Sequence, residues 1–342
     1  MRRCANCLIE ESYPGVVLDR NGNCGVCANL RKGARRPASA AGSPLKKWLK
    51  SFVGRHRLEK SRRTYDAVIA LSGGKDSAFA AWLFARKYGF RCLAVTVDTG
   101  YLSPSVRANV ALVCRKVGIP HRYLRPPLLF NKIFRFAFSG GRLFLRVDGL
   151  ACFLCSKLIR NLLYRFAHDH GIPFIVMGVF RAGDTKLFEK ENAVLLDEIA
   201  PPALLMYLRK AYSRWLYFPS RRPSGKSAPL VIYPLNAVLT TEKEKMKTLG
   251  AIFGPRRLGT FAPPMTLCLV ALATMYLYRK ERGYNPYGED LGFMIRHGIY
   301  NRKAWLKRLE ELERALDGPS SIRKDIDGFL RSMGAWDGTA VS

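Results

Sequence analysis

Ala67-Val68-Ile69-Ala70-Leu71-Ser72-Gly73-Gly74-Lys75-Asp76-Ser77 is the stretch on which the fold turns. Tyr65 to Leu71 is short, apolar and partly β-branched, the pattern of a buried strand. Ala78 to Ala85, Ala-Phe-Ala-Ala-Trp-Leu-Phe-Ala, has the pattern of a buried helix. Between them stand two glycines, two hydroxyls and a cation. A glycine turn feeding a helix N-terminus directs consecutive N–H groups and a partial positive charge at one point, which makes an anion site. Asp76 suits such a site as a loop orienter or a metal holder. The spacing is not that of Walker A, which sets four residues between its first glycine and Gly-Lys-Ser/Thr.

Around this unit, strand and helix patterns alternate. Arg91 to Val97 reads as a strand ending at Asp98-Thr99-Gly100, Pro104 to Val117 as a helix, and Pro120 to Leu124 as a strand. Cys152 to His170 reads as a helix and Pro173 to Gly178 as a strand. Such alternation predicts an α/β fold, a doubly wound parallel sheet with helices on both faces. Ligands then lie at the carboxyl ends of the strands, where Ser72, Asp98 and Gly178 all fall.

Composition narrows the partners. The 342 residues carry 57 Lys plus Arg against 26 Asp plus Glu, a net charge of +31. That excess favours a polyanion such as nucleic acid. Residues 31–63 concentrate it: twelve cations, from Arg31 to Arg63, stand against the single acid Glu59. There Leu45 to Lys60 fits a helix with Trp48, Leu49 and Phe52 on its apolar side, and the segment reads either as a solvated linker or as a phosphate-backbone surface. Residues 199–228 interleave Arg209, Lys210, Arg214, Arg221, Arg222 and Lys226 with Tyr207, Tyr212, Trp215, Tyr217 and Phe218. This pattern suits RNA, or an amphipathic helix with a cationic outer face. The longest apolar run, Met265 to Tyr278, is too short for a simple membrane span and reads as a buried helix. Cysteines follow Arg2 and Arg3 where a secretory leader would be apolar, so the expected compartment is the cytoplasm.

Nine cysteines in a reducing compartment point to metal or thiol chemistry rather than disulfides. Cys4, Cys7, Cys24 and Cys27 form two Cys-x-x-Cys pairs separated by 16 residues, a spacing for four-thiolate zinc. The expected organisation is a zinc module over 1–30, a basic linker or helix over 31–63, a nucleotide domain over 64–260 and a helical region over 261–342. Cys152 and Cys155 open a helix, which predicts lowered thiol pKa values. With Cys268 they could form a three-cysteine set able to hold an iron–sulfur cluster with one iron open. Cys268 alternatively reads as a packed core cysteine, and Cys92 and Cys114 as structural.

Ser72-Gly73-Gly74-Lys75-Asp76-Ser77 resembles the PP-loop of the ATP pyrophosphatase superfamily, whose sheet is adenine nucleotide alpha hydrolase-like. That resemblance implies enzymes that split ATP into AMP and pyrophosphate, adenylate an acceptor oxygen and let a nitrogen or sulfur nucleophile displace AMP. It implies ATP on Ser72, Gly73, Gly74, Lys75, Asp76 and Ser77, with Mg²⁺ bridging phosphates. It implies adenine against Val95 to Val97, contact with Gly178, and catalytic roles for Lys75, Asp76 and Asp98, the last near ribose or metal. Cys152-Phe153-Leu154-Cys155-Ser156-Lys157-Leu158-Ile159-Arg160 is similar to the cysteine helix of tRNA 2-thiocytidine synthases, as is Tyr233-Pro234-Leu235 followed by Glu242. This second likeness implies a [4Fe-4S] cluster on Cys152, Cys155 and Cys268, with tRNA and a sulfur donor protein as partners. Gly178-Val179-Phe180-Arg181-Ala182-Gly183-Asp184 departs from that family by lacking its histidine, and Asp184 stands where its aspartate would act.

The first cysteine pairs, and Ile295 to Ala304, resemble the N-acetyl sugar amidotransferases of surface polysaccharide synthesis. That likeness implies a sugar acceptor, a partner glutaminase supplying ammonia, and structural middle cysteines. The expected activity is an adenylating transferase that delivers sulfur to a tRNA base. The alternatives are the amidotransferase and a non-catalytic, zinc-bearing RNA-binding protein.

Overall fold

A computed structural model describes residues 2–31, 44–58, 63–139, 149–179, 187–190, 195–196, 202–219, 228–238, 241–254, 266 and 268–334. Asp184 lies outside the described residues, as do Arg221, Arg222 and Lys226.

Six strands form one sheet: β1 Ala67–Ala70, β2 Cys92–Val97, β3 His121–Leu124, β4 Phe174–Met177, β5 Phe188–Glu189 and β6 Leu230–Ile232. Their order is β3-β2-β1-β4-β6-β5. β1 pairs in parallel with β2 and β4, β2 with β3, and β4 with β6. The parallel sheet expected from the alternation is therefore present. Its edge strand β5 runs antiparallel to β6. Strand order reverses between β1 and β4, so the crevice at their carboxyl ends is where a ligand belongs.

In chain order the helices are α1 Gly25–Arg31, α2 Pro44–Leu58, α3 Lys75–Trp82, α4 Pro104–Val117, α5 Leu129–Ser139, α6 Leu150–Asp169 and α7 Pro202–Tyr212. They continue with α8 Pro234–Ala237, α9 Glu242–Phe253, α10 Leu269–Arg282, α11 Gly288–Arg296, α12 Arg302–Asp317 and α13 Ser321–Ser332. Two apolar cores cover the two faces of the sheet. One joins Val68, Val95 and Ile175 to α5, α6 and α10, and the other joins Ile69, Ala94 and Val176 to α3, α4 and α9.

Helix α2 docks on this body. Leu49, Phe52 and Val53 are buried, and Phe52 meets the Phe174 ring at 4.9 Å. His56 stacks on Phe90 at 4.0 Å and lies 3.4 Å from Asp66. Trp48, expected on the same apolar side, is instead 59% exposed. The buried residues 49, 52, 53 and 56 lie at i, i+3, i+4 and i+7, and Trp48 falls one helical step outside that stripe. Around α7, Tyr212 is buried and donates to the Pro127 carbonyl at 3.1 Å, whereas Met206 is 69% exposed and the Arg209 guanidinium lies 5.2 Å from the Phe218 ring. This is an amphipathic helix that buries Leu208 and Tyr212, while Tyr207 and the cations Arg209 and Lys210 are exposed. Cys92 and Cys114 are buried in the core. Among the described residues no helix is long and apolar enough to cross a membrane.

The N-terminal cysteine module packs on the C-terminal helices. Leu8 is buried against Leu291, Ile295, Trp305 and Leu309. Glu10 accepts from the Asn285 amide at 2.5 Å, and Ser12 donates to the Gly283 carbonyl at 2.7 Å. Arg3 pairs with Glu10 and Glu313.

Candidate functional site

The loop after β1 is built by its own hydroxyls. Ser77 Oγ accepts from the Ser72 amide at 3.2 Å, lies 3.0 Å from Ser72 Oγ and donates to the Gly74 carbonyl at 3.0 Å. Asn109 of α4 donates to the Gly73 carbonyl at 3.0 Å. Gly73 has φ +76°, and a Cβ there would lie 2.8 Å from the Val106 carbonyl oxygen. Both facts require glycine. Gly178 has a different requirement: a Cβ would stand 2.5 Å from Ser77 Cα. The end of β4 therefore touches the first turn of α3 directly, and Gly178 shapes the loop through backbone contact.

Lys75 and Asp76 enter a network that reaches across the chain. Lys75 Nζ lies 3.3 Å from Asp76 and 3.9 Å from Glu242, and sits 5.5 Å from the Tyr300 ring centre. Burial works against its charge, but Asp76, Tyr300 and Glu242 hold the ammonium above the usual lysine range. Buried Lys245 of α9 donates to Asp76 Oδ1 at 2.6 Å. Burial alone would raise the Asp76 carboxyl, yet Lys75 and Lys245 hold it below the ordinary carboxylate range. Glu242 accepts from Trp305 Nε1 at 3.0 Å and from Arg308 Nη1 at 2.9 and 3.1 Å. Both Asp76 oxygens face lysines, Oδ1 toward Lys245 and Oδ2 toward Lys75.

A cavity of about 560 Å³ opens at these strand ends. Ser72, Gly74, Lys75, Asp76 and Ser77 line one side, and Val95, Thr96 and Val97 of β2 line another. Gly178, Cys155, Cys268, Glu242, Tyr300 and Arg308 also border it. It thus gathers most of the sequence-derived candidates. Asp98 is not among its lining residues. Its carboxylate accepts from the Gly100 amide at 3.0 Å, Arg107 at 3.0 Å and Arg125 at 3.1 Å. Burial pushes that carboxyl up, and these three donors together hold it below the usual range. Local turn geometry claims Asp98, and Thr99 takes the place at the cavity wall.

The middle cysteines converge from two elements. Cys152 and Cys155 lie in the first turns of α6, and Cys268 precedes α10. Burial pushes the Cys152 thiol up to about 12, with the charge of Cys268 adding to it. Cys155 is likewise raised by burial, then by Cys268 and Cys152. This reverses the lowered pKa values expected from the helix N-terminus, because desolvation outweighs the helix dipole. The charge of Cys268 bears on both thiols of α6, which places the three cysteines near one another, and three thiolates are the donor type that an iron–sulfur cluster takes. Cys155 and Cys268 border the strand-end cavity, and Cys268 is exposed rather than a sealed core residue. Tyr287 Oη donates to Cys152 Sγ at 2.8 Å. Tyr233, in the Tyr-Pro-Leu run, has a supporting role: it is buried and donates to Glu189 at 2.5 Å beside Arg160.

Cys4, Cys7, Cys24 and Cys27 are all buried, with their sulfurs within 4.8 Å of one another. The Cys24 amide donates to Cys4 Sγ at 3.3 Å, and Arg296 Nη1 donates to Cys7 Sγ at 3.3 Å. A hydrogen bond with Cys27 holds the Cys4 thiol down, and its counterpart pushes Cys27 up. Four thiols this close fit one tetrahedral ion, and their N–H donors fit sulfurs that carry negative charge. Among the described residues this is the one group of three or more such side chains so closely gathered.

Sequence reasoning passed over Lys245, Tyr287, Trp305 and Arg308. Tyr300 it noted only within the run Ile295 to Ala304. Lys245 is 169 residues from its partner, and Trp305 and Arg308 are 63 and 66 residues from theirs. The capping box Thr241–Glu244 marks the start of α9, but no local signal aims Lys245 at the loop.

The mostly parallel sheet with helices on both faces has the form that the PP-loop resemblance implied. The chain is similar to several solved structures. One is the U34-tRNA thiolase NcsA from Methanococcus maripaludis with its [4Fe-4S] cluster, with TM-score 0.36 and 14% identity over 98% of this chain and 99% of that one. Another is the NH3-dependent NAD synthetase from Campylobacter jejuni subsp. jejuni, with TM-score 0.34 and 11% identity over 79% of this chain and 93% of that one. Among curated proteins, the tRNA-cytidine(32) 2-sulfurtransferase of Methylococcus capsulatus is 30% identical over 119 residues, 33% of this chain and 38% of that protein. An uncharacterized protein of Methanocaldococcus jannaschii is 27% identical over 123 residues, 36% of this chain and 41% of that protein. The chain thus spans about two fifths of the length of these curated relatives. No family model matches the chain.

Proposed function

We propose that the protein is an ATP-dependent adenylating enzyme that transfers sulfur to a base of tRNA. The observation that carries this reading is the shared cavity, in which Cys155 and Cys268 face the same space as Ser72 to Ser77. Phosphate chemistry and thiol chemistry then act on one substrate without a long transfer. In the amidotransferase alternative the middle cysteines are structural and have no reason to line that space. The charge of +31 suits an RNA acceptor.

The loop amides of Ser72 to Ser77 and the Lys75 ammonium would receive the β and γ phosphates, with adenine along Val95 to Val97. The acceptor carbonyl oxygen attacks the α-phosphorus, and pyrophosphate leaves with its electron pair. A sulfur nucleophile then attacks the ring carbon, and AMP leaves with the former carbonyl oxygen. Lys75, with the positive end of α3, stabilises the charge that grows on the departing pyrophosphate. Asp76 and Lys245 hold the loop in that geometry. Cys152, Cys155 and Cys268 would hold the [4Fe-4S] group, whose open iron supplies a binding place for sulfide. Cys4, Cys7, Cys24 and Cys27 would hold structural Zn²⁺.

The test is anaerobic purification with iron, sulfide and zinc analysis, followed by assay of AMP release with ATP, unmodified tRNA and added sulfide as the sulfur source. About four irons per chain and tRNA-stimulated AMP release are expected. Zinc without iron, together with AMP release driven by a nucleotide sugar and ammonia, would replace this reading with the amidotransferase.

A further inference from the structure

Leu8 stands directly after Cys7, at the end of the first cysteine knuckle. Its φ is +67°, and among the described residues Leu128 is the other non-glycine with a positive φ. An L side chain is strained in that left-handed region, where glycine is not. Leu128 is 67% exposed, whereas Leu8 is 2% exposed. The module itself fixes the turn. The Leu8 amide donates to the Cys4 carbonyl at 3.1 Å, and the Cys4 amide donates to the Ile9 carbonyl at 2.8 Å. A leucine kept where glycine would sit without strain is an outlier that points to a use for its side chain.

That use lies in the C-terminal helices. Leu8 shares a buried cluster with Leu291 and Ile295 of α11 and with Trp305 and Leu309 of α12, and Tyr300 packs against the same cluster. Helix α11 passes close to the knuckle: a Cβ at Gly292 would lie 3.5 Å from Cys7 Sγ, and Arg296 donates to that sulfur at 3.3 Å. From this cluster the contacts run on to the phosphate loop. Trp305 and Tyr300 stack with ring centres 4.3 Å apart, and Lys75 lies 5.5 Å from the Tyr300 ring centre. Glu242 Oε2 accepts from Trp305 at 3.0 Å and from Arg308 at 3.1 Å, while Oε1 accepts from Arg308 at 2.9 Å. With both oxygens so engaged, Glu242 stands 3.9 Å from Lys75 Nζ, beyond hydrogen-bond length. Trp305 thus keeps Glu242 from competing with a phosphate for the ammonium.

We infer that Leu8 is a positioning residue for nucleotide binding: the four-cysteine knuckle holds it as a wedge among α11 and α12, and the wedge seats Trp305 so that Glu242 leaves Lys75 to the phosphates. An ion held by Cys4, Cys7, Cys24 and Cys27 would keep the knuckle in that turn. The inference rests on the reading of the strand-end cavity as an ATP site, and on neither the acceptor nor the sulfur.

The experiment uses the full chain purified with zinc. ATP affinity by equilibrium dialysis with Mg²⁺, zinc content and urea unfolding are measured for the parent, Leu8→Gly, Leu8→Met, Glu242→Gln and the double variant Leu8→Gly/Glu242→Gln. Glycine accepts the left-handed turn, so Leu8→Gly should keep its zinc. Its ATP affinity should fall by about 2- to 30-fold, the range of coupling carried through packed side chains. Leu8→Met restores an apolar side chain of similar length and should bind ATP as the parent does. Glu242→Gln leaves no carboxylate to close on Lys75, so adding Leu8→Gly to it should cost no further affinity. A purely structural Leu8 would lower the urea midpoint and leave ATP affinity alone; that result, with zinc retained, overturns the inference. A loss of affinity that persists in full in the Glu242→Gln background overturns it as well. If the parent itself binds no ATP, the proposed function falls and this inference with it. Should Leu8→Gly fail to fold, Leu8→Ala is read by the same criteria.

Discussion

Trp305 Nε1 donates to Glu242 Oε2 at 3.0 Å, across 63 residues of chain. Through this bond the C-terminal helices reach the phosphate loop, because Glu242 also lies 3.9 Å from Lys75. Trp305 in turn packs on Leu8 of the cysteine module. Trp305 thus links the cysteine module to the residues that border the strand-end cavity. Trp305→Phe removes a charge-assisted hydrogen bond and should cost about 1.5–3 kcal/mol. A lowered urea midpoint with unchanged slope checks it.

In the proposed reaction, Lys75→Ala removes the cation that would face the departing pyrophosphate. AMP formation should fall by about 10²–10³-fold, the scale set by loss of one charge-stabilising donor. Circular dichroism should remain that of the parent, and single-turnover AMP release is the measurement.

Asp76→Ala acts on stability as well. It leaves Lys245, whose side chain is 4% exposed, without its counter-charge. Stranding one partner of a buried pair costs about 3–5 kcal/mol. The lower end applies because Asp76 itself keeps 28% of its side chain open to the cavity. Urea unfolding at neutral pH gives the value.

Gly178→Ala should be damaging although it removes no functional group. The added carbon would lie 2.5 Å from Ser77 Cα and 2.7 Å from the Ser77 amide nitrogen. Backbone cannot yield as a side chain can, so the cost should reach the top of the 1–3 kcal/mol typical of overpacking, about 3 kcal/mol. ATP affinity should fall with it, read by equilibrium dialysis.

Asp98 gives a pH signature. Its folded pKa lies below the usual range, so its ion pairs with Arg107 and Arg125 contribute fully above the unfolded value, about 3.9. That contribution is lost as pH falls through the folded value. The contribution is on the order of 1 kcal/mol, since the two arginine side chains are 40% and 60% exposed and water screens them. The stability difference between the parent and Asp98→Asn should be flat from pH 6 to 8, on the order of 1 kcal/mol, and close below about pH 4.

Much of the fold was legible because its signals are local. The expected helix Pro104–Val117 is present with those bounds: Ser103 accepts from the Val106 amide, Pro104 opens the first turn, and Gly118 ends it at φ +71°. The loop Ser72 to Ser77 was legible for the same reason, since its hydroxyls and glycines satisfy one another within six residues. Trp48 misled because an apolar residue carries no mark of its helical phase until a neighbouring surface selects one face. The thiols of Cys152 and Cys155 misled because the helix position is local, whereas burial, and the charge of the distant Cys268, raise them.

The order of residues by itself determined the strand, the glycine turn, the cation at the loop, and the two knuckles of the cysteine module. Each depends on contacts between near neighbours, and near neighbours are written side by side. Only the tertiary structure decided that Lys245 holds Asp76, that Trp305 and Arg308 hold Glu242, and that Cys155 and Cys268 border one cavity. Those pairings lie tens to more than a hundred residues apart, and packing of the helices on the sheet, not any local preference, chooses which side chains meet.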